Sequence, residues 1–201
     1  MDFLKAILIG YLLGSIPFGY LMGKLYKIDV TKYGSGNIGF TNVLRVIGVV
    51  PAAIVLIFDV LKGYLATYFS YTLGGEILAV VGAMAAMAGH VWPIYLRFKG
   101  GRAVATGLGT ILFLTPKITL LAILLFIAVV YITRYVSLGS ILCAIFVSAA
   151  IIITKQPLPY IIFALIGSIL VIVRHKSNIQ RLLAGQENKI GFKVDTKGGL
   201  K

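Results

Sequence analysis

Three glycine-rich, basic stretches hold most of the groups in this chain that could do chemistry: GSGNIGFTNVLR (34–45), FKGGRAVATG (98–107) and RHKSNIQRLLAGQENK (174–189). Glycine lets a backbone approach a ligand closely, its N–H groups can cradle an anion, and arginine, lysine and histidine neutralise one. In the first stretch the turn around Ser35, Gly36 and Asn37 leads to Thr41, Asn42 and Arg45 at the mouth of the next helix, a favourable place for an anion. In the second, Gly100 and Gly101 set two amides between Lys99 and Arg102. In the third, His175, Asn178 and Arg181 recur every three residues, so a short interfacial helix puts them on one side, with Gly185 as its stop. Phosphate handling at a membrane surface is the chemistry that suits these types. Each stretch taken alone has a simpler reading, a helix cap or a helix with snorkelling cations. Three of them on one face favour a site. The string Gly34-Ser35-Gly36-Asn37-Ile38-Gly39 also fits a dinucleotide fingerprint, but that motif needs a preceding β-strand and here an apolar helix precedes it.

The elements that must position these stretches are membrane spans. The 201 residues are 59% hydrophobic and 12% charged, with a mean hydropathy of +0.99. Such a chain is an all-α, polytopic membrane protein forming a single domain over 1–201. Its apolar runs are continuous, whereas a membrane barrel shows short alternating segments. The expected spans are 3–26, 47–70, 77–97, 103–114, 117–133, 136–154 and 158–173, seven helices with one short. The short one, twelve residues at ~1.5 Å each, covers ~18 Å of a ~30 Å hydrocarbon layer. It therefore begins at depth, at the end of a glycine-rich loop, and irregular backbone survives there only when buried in protein or lining a wet cavity.

Seven crossings put the termini on opposite sides. One side carries Lys24, Lys27, Lys32, Arg45, Arg97, Lys99, Arg102, Arg134, Arg174, Lys176, Arg181, Lys189, Lys193, Lys197 and Lys201; the other carries Lys5, Lys117 and Lys155. The positive-inside rule then places the N-terminus outside and the C-terminus in the cytoplasm. The cytoplasmic parts are loops 27–46, 97–103 and 133–137 and the tail 174–201. The formal charge of +13 lies on this face and suits anionic lipid and phosphorylated substrates. There is no aromatic-basic module for nucleic acid, and the outer loops are too short to form a domain.

Other residues read more plainly. MDFLKAILIGYLLG has neither the basic start nor the cleavage site of a signal peptide and reads as a retained first span. Gly10/Gly14 and Gly19/Gly23 are close-packing steps on that span. The single cysteine, Cys143, is a packed apolar thiol. Asp59 and Lys62 lie mid-span three residues apart, an expensive location unless they pair; a helix-holding ion pair is favoured over catalysis. His90 reads as a hydrogen-bonded structural histidine.

Five strings taken together, LLGSIPFGYLMGK (12–24), GSGNIGFTNVLR, DVLKG (59–63), GHVWPIYLRFKGGRAVAT (89–106) and HKSNIQRLLAGQENK (175–189), resemble the PlsY family of bacterial acyl-phosphate:glycerol-3-phosphate acyltransferases. The resemblance runs through nearly the whole chain in order. The family usually shows Lys-Gly where Arg102-Ala103 stands, and alanine where Phe40 stands. Arginine keeps the charge and can hold phosphate bidentately, while Ala103 restricts the loop's backbone. The resemblance implies acyl transfer from a fatty acyl phosphate to the 1-hydroxyl of glycerol 3-phosphate, giving lysophosphatidate and phosphate, on the cytoplasmic face of the bacterial inner membrane. It implies that Ser35, Arg45, Arg102, His175 and Asn178 take glycerol 3-phosphate. The acyl phosphate head is then expected at the amides near Gly36, Asn37, Gly100 and Gly101, with Lys99 supplying charge. Thr41, Asn42 and Arg181 are further substrate contacts. Ser140, in a turn over 137–140, closes over the substrate, and the acyl tail lies between spans. The soluble enzyme that makes acyl phosphate is a possible partner.

No residue stands out as a nucleophile, and the donor is already activated, so direct attack aided by alignment and charge neutralisation is the simplest route. The hydroxyl proton goes either to His175 or to a substrate phosphate oxygen, with the second favoured. A transporter or flippase for a phosphorylated metabolite or lipid is the alternative, as is an inactive lipid-binding scaffold. Against transport, there is no inverted repeat and the polar stretches share one face. No cofactor is expected. No metal is expected either: Asp29 and Glu187 are the only cytoplasmic carboxylates considered for one, and they form no pair. EDTA is accordingly expected to leave acyl transfer undiminished in a phosphate-release assay.

Overall fold

The computed structural model describes residues 1–191; the last part of the expected tail, 192–201, lies outside them. The regular elements of the described residues are all helices, with no strand among them: α1 (Asp2–Ser15), α2 (Phe18–Leu25), α3 (Phe40–Val46), α4 (Val49–Val91), α5 (Val104–Leu114), α6 (Pro116–Thr133), α7 (Val136–Ile153), α8 (Leu158–Arg174) and α9 (Lys176–Leu183), with one 3₁₀ turn at Ile94–Leu96. Prolines in the first turns of α6 and α8 start those helices where a missing N–H costs nothing.

The first span is broken where the sequence suggested one helix. Pro17 has no N–H to donate and holds Ile16 extended (φ −60°, ψ 115°). The Ile16 carbonyl therefore leaves the helical pattern and accepts Lys62 Nζ at 2.8 Å. Lys62 in turn sits 2.7 Å from Asp59 Oδ1, with both side chains almost fully buried. The Asp59–Lys62 pair thus ties α4 to the break in the first span, the helix-holding role favoured for it.

α4 is a helical hairpin. Gly74 and Gly75 depart from helical geometry, and Gly75 has φ 75°. Gly82 then packs directly on Ser70 and Ala66, so 76–91 runs back along 49–73. The expected loop at 70–76 is thus shorter than supposed. Of the glycines expected to mediate close helix packing, Gly10 lies against Gly82 and Gly14 against Ala86, whereas Gly19 and Gly23 lie against Ile38 and against Ile28 and Val30 of the following loop. α5, eleven residues long, is pressed onto α4 by a reciprocal pair, Gly63 against the Thr106 carbonyl and Gly109 against the Val60 carbonyl. Buried residues such as Met87, Val91, Val147, Ile151 and Phe163 form the main core, while Leu120, Leu124 and Ile127 of α6 point outward. An apolar outer face is what hydrocarbon solvent requires. The turn expected over 137–140 is instead the first turn of α7.

Both partners of Gly109 are backbone, so no rotamer change can admit a methyl group there. Gly109→Ala is expected to destabilise the protein by about 1–3 kcal/mol, the usual range for overpacking, read as a lower thermal unfolding midpoint in detergent.

Candidate active site

The loop between α2 and α3 is built around one amide. Asn42 is 2% exposed; its Nδ2 donates to the carbonyls of Val30 (2.9 Å) and Tyr33 (3.2 Å), and its Oδ1 accepts the Ser35 N–H (2.8 Å). Asn42 was expected to touch substrate, but its donors and acceptor are already engaged in holding the loop. Gly34 lies so close to Asn42 Oδ1 that a side chain would collide, and its φ of +62° favours glycine as well. Asn37 Oδ1 caps the Gly39 N–H at 2.8 Å. The result presents the side chains of Ser35 and Asn37 on the cavity wall.

The 97–103 loop is also pinned from within. Its Gly100 N–H donates to the Val91 carbonyl (3.1 Å) and its Gly101 N–H to the His90 carbonyl (3.0 Å). The carbonyls of Gly100 and Gly101 accept Arg174 Nη2 (3.4 Å) and Nε (3.2 Å). These two amides, and the Gly36 N–H that donates to the Tyr33 carbonyl (3.0 Å), are therefore not the free anion nest that the sequence suggested. Glycine is needed here for space: a Cβ on Gly101 would strike the His90 imidazole, and one on Gly100 the His90 carbonyl. His90 Nδ1 is 3.7 Å from Asp59 Oδ1, too far for a hydrogen bond, and is without another partner. His90 acts through its backbone and its bulk. Ala103 takes the left-handed conformation (φ 58°), which a residue with a Cβ adopts only at a cost. Lys99 is exposed and lines no described cavity, so the structure does not bring it to the site.

The third stretch follows a 59° bend between α8 and α9. His175, at the bend, is 2% exposed, with Nδ1 2.8 Å from the Val171 carbonyl. A carbonyl only accepts, so Nδ1 carries the hydrogen and Nε2 keeps a lone pair. Burial pushes the imidazole down to about 4, with Arg102 adding to the effect, so it is neutral near pH 7. Past α9, Gly185 (φ +68°) reverses the chain and the Gln186 N–H reaches the Arg181 carbonyl at 2.7 Å, a Schellman-type stop. The reversal brings back Glu187, whose carboxylate accepts Ser137 Oγ (3.0 Å), Asn178 Nδ2 (2.7 Å) and Arg181 Nε (2.7 Å). Burial opposes its ionisation, but these three donors outweigh burial and hold Glu187 below the ordinary carboxylate range. Arg181, expected to touch substrate, is bonded to Glu187 instead and lines neither cavity. Sequence reasoning had weighed Glu187 only as a metal ligand; its position nine residues after Asn178, beyond a glycine stop, was the available signal. Among the described residues no group of three His, Cys, Asp or Glu could hold a metal ion.

These elements enclose a cavity of about 390 Å³. Its polar lining is Ser35, Asn37, Thr41, Arg45, Arg102, Ser140, His175, Asn178 and Glu187, with Asp59 and His90, and its apolar lining includes Met87, Leu108, Ile111, Phe126, Val147 and Phe163, which lie deeper along α4 to α8. Ser140 Oγ is bonded to the Val136 carbonyl at 2.9 Å. A shallow basic depression of about 420 Å³, lined by Gly36, Gly100, Arg174 and Lys176 among others, meets the cavity at Ser35, Asn37 and Arg102. The meeting point is strongly cationic. Burial and the neighbouring Arg181, Arg174 and Arg45 push Arg102 down to about 10 against the pull of Glu187, which still leaves it charged at neutral pH. Burial lowers Arg45 too, and its Nε is buried without a partner while Nη2 donates to the Asn188 carbonyl (3.1 Å). Three arginines near Glu187 and a fourth beside Arg102, with an unpaired guanidinium N–H on Arg45, leave room for an anion to be bound.

Comparison with known proteins agrees with this geometry. Residues 4–185 match the family model described as glycerol-3-phosphate acyltransferase. A glycerol-3-phosphate acyltransferase of Desulforamulus reducens is 50% identical over 190 residues, covering 93% of this chain and 95% of that one. One of Moorella thermoacetica is 45% identical over 189 residues, covering 94% and 97%. The crystal structure of PlsY (YgiH), an integral membrane glycerol 3-phosphate acyltransferase, in its glycerol 3-phosphate form superposes with a TM-score of 0.92 at 34% identity, covering 95% of this chain and 96% of that one. Its lysophosphatidic acid form gives 0.89, also at 34% identity, with 96% and 97% covered. Spans, cavity and sequence agree that this chain belongs to the glycerol-3-phosphate acyltransferase family.

Proposed function

We propose that this protein transfers a fatty acyl group from acyl phosphate to the 1-hydroxyl of sn-glycerol 3-phosphate at the cytoplasmic face of a bacterial inner membrane. The observation that carries the reading is the single cavity whose one end is cationic and whose other end is apolar. A lipid-like donor and a water-soluble phosphorylated acceptor need such a space, and the excess of basic residues on one side orients it toward the cytoplasm. A soluble enzyme that makes the acyl phosphate would deliver it to this face.

In this reading Arg45 and Arg102 hold the acceptor's phosphate by charge-assisted hydrogen bonds. The donor's head group lies where cavity and depression meet, beside Ser35, Asn37 and Arg102, and its chain follows the apolar walls. The glycerol oxygen attacks the acyl carbon and forms the ester bond as the carbon–oxygen bond to phosphate breaks. The hydroxyl proton passes to an oxygen of the departing phosphate. A histidine held near 4 is a weak base, which favours this substrate-assisted route over proton transfer to His175. Alignment and charge neutralisation then supply most of the acceleration; positioning alone can provide ~7–11 kcal/mol.

Purified protein given glycerol 3-phosphate and either palmitoyl phosphate or palmitoyl-CoA is expected to release lysophosphatidate from the acyl phosphate alone, as read by mass spectrometry. Product from the thioester alone would overturn the donor. Product from neither, with uptake of a phosphorylated solute into proteoliposomes, would favour transport. For His175→Gln, the expected result is a raised KM for glycerol 3-phosphate with kcat reduced by less than the ~10²-fold that marks loss of a general base. The same variant tests a pH effect. The folded value of about 4 lies below the ordinary 6.5, so the unfolded chain binds this proton first. Stability from His175 is complete above about pH 6.5 and is lost as pH falls through about 4. The thermal midpoint of His175→Gln should therefore drop less than wild type's between pH 7 and pH 5.

A further inference from the structure

One carboxylate inside the site is unused by the reaction above. Glu187 is 8% exposed and lines the cavity, yet it is surrounded by donors and cannot itself hold a phosphate. An ionised carboxylate accepts hydrogen bonds and donates none. The Asn178 amide, 2.7 Å away, must therefore turn its Nδ2 toward Glu187, which leaves Asn178 Oδ1 facing elsewhere, buried and without a partner. The Val171 carbonyl has the same effect on His175: it takes the Nδ1 hydrogen and leaves Nε2 as a lone pair with no hydrogen bond among the described residues. Both residues line the cavity three positions apart, and these two acceptors have no protein partner where the arginines nearby offer only donors.

Acceptors of this kind repel phosphate oxygens and take hydroxyl hydrogens. Resting on the proposed reaction, in which the 1-hydroxyl gives its hydrogen to the donor's phosphate, the glycerol hydrogen left for the protein is that of the hydroxyl on carbon 2. We infer that Glu187 is a positioning residue that fixes Asn178 with its carbonyl oxygen toward the acceptor, so that the site selects phosphorylated polyols carrying a hydroxyl next to the reacting one. An acceptor lacking that hydroxyl leaves Asn178 Oδ1 buried and unpaired, and sites of this type reject such analogues strongly. Glutamine at 187 can donate as well as accept, so it no longer dictates which way the Asn178 amide turns.

The test compares glycerol 3-phosphate with 3-hydroxypropyl phosphate, which keeps the phosphate and the primary hydroxyl but lacks the hydroxyl on carbon 2. Both are acylated from palmitoyl phosphate by wild type, Glu187→Gln and Glu187→Ala. Wild type is expected to prefer glycerol 3-phosphate by roughly tenfold or more in kcat/KM, and each variant to lose most of that preference. Inhibition by inorganic phosphate, held by Arg45 and Arg102, persists in either variant and reports that its site is folded; one folded variant suffices. If both acceptors slow together and the ratio stays at the wild-type value, Glu187 is merely structural and the inference fails. The inference also fails if wild type does not discriminate. No acylation of either acceptor by wild type would instead overturn the reaction itself, and the inference with it.

Discussion

Backbone N–H and C=O groups inside hydrocarbon must find partners within the protein, and the site exists because two helix breaks meet that demand with side chains and tertiary backbone contacts instead of helix. At the first break the Ile16 carbonyl, displaced by Pro17, is taken by Lys62, whose charge is balanced by Asp59. At the second, the 97–103 loop gives its glycine amides to the carbonyls of His90 and Val91 and its glycine carbonyls to Arg174. With those bonds made, irregular backbone can lie beside a cavity at depth, and Arg102 emerges at a fixed place. The glycines earn their positions by allowing contact with His90 at distances no side chain tolerates.

Charge is divided along the same lines. Arginine supplies the fixed positive groups, and desolvation leaves Arg102 ionised even where its value falls to about 10. Lysine would lose more of its charge under equal burial, since its ordinary value is lower and it shifts readily when buried. The one carboxylate among these cations is held ionised by three donors. Histidine is kept neutral by burial. Around Arg102 the pocket therefore presents cations, the ionised Glu187 and neutral acceptors on His175 and Asn178, and the charge pattern of that part near neutral pH does not depend on a titrating side chain.

Much of this could be read from the chain and some could not. Continuous apolar runs gave the spans, the short run 103–114 gave the eleven-residue α5, and the i, i+3 spacing of His175 and Asn178 put both on one cavity. Ser35, Arg45, Arg102, His175 and Asn178 all line one cavity. What stayed hidden was which polar groups are already engaged. Asn42 looks like a ligand contact in a list of residues, but its partners, seven to twelve positions earlier, become visible only when the loop closes on it. The amides of Gly100 and Gly101 face a helix end that precedes them. Glu187 returns to the site only after the chain reverses at Gly185. Hydrogen-bond saturation is a property of the folded loop, whereas residue type and spacing are properties of the string. The break at Pro17 is a different case, since the proline was visible and tertiary contacts were needed to show that the helix did not simply bend through it.

The reversal at Gly74–Gly75 governs more than the packing of Gly82 on Ser70. As an unbroken helix, 49–91 would be ~65 Å long at ~1.5 Å per residue, about twice the hydrocarbon thickness. Two glycines therefore set the parity of the chain that follows: with the hairpin closed, the chain leaves residue 91 on the side on which the α2–α3 loop lies. Only with that parity can Ser35 and Arg45, which precede the hairpin, share a compartment with Arg102 and His175, which follow it. The sidedness of the catalytic chemistry is thus encoded on the opposite edge of the protein, in residues that touch none of it.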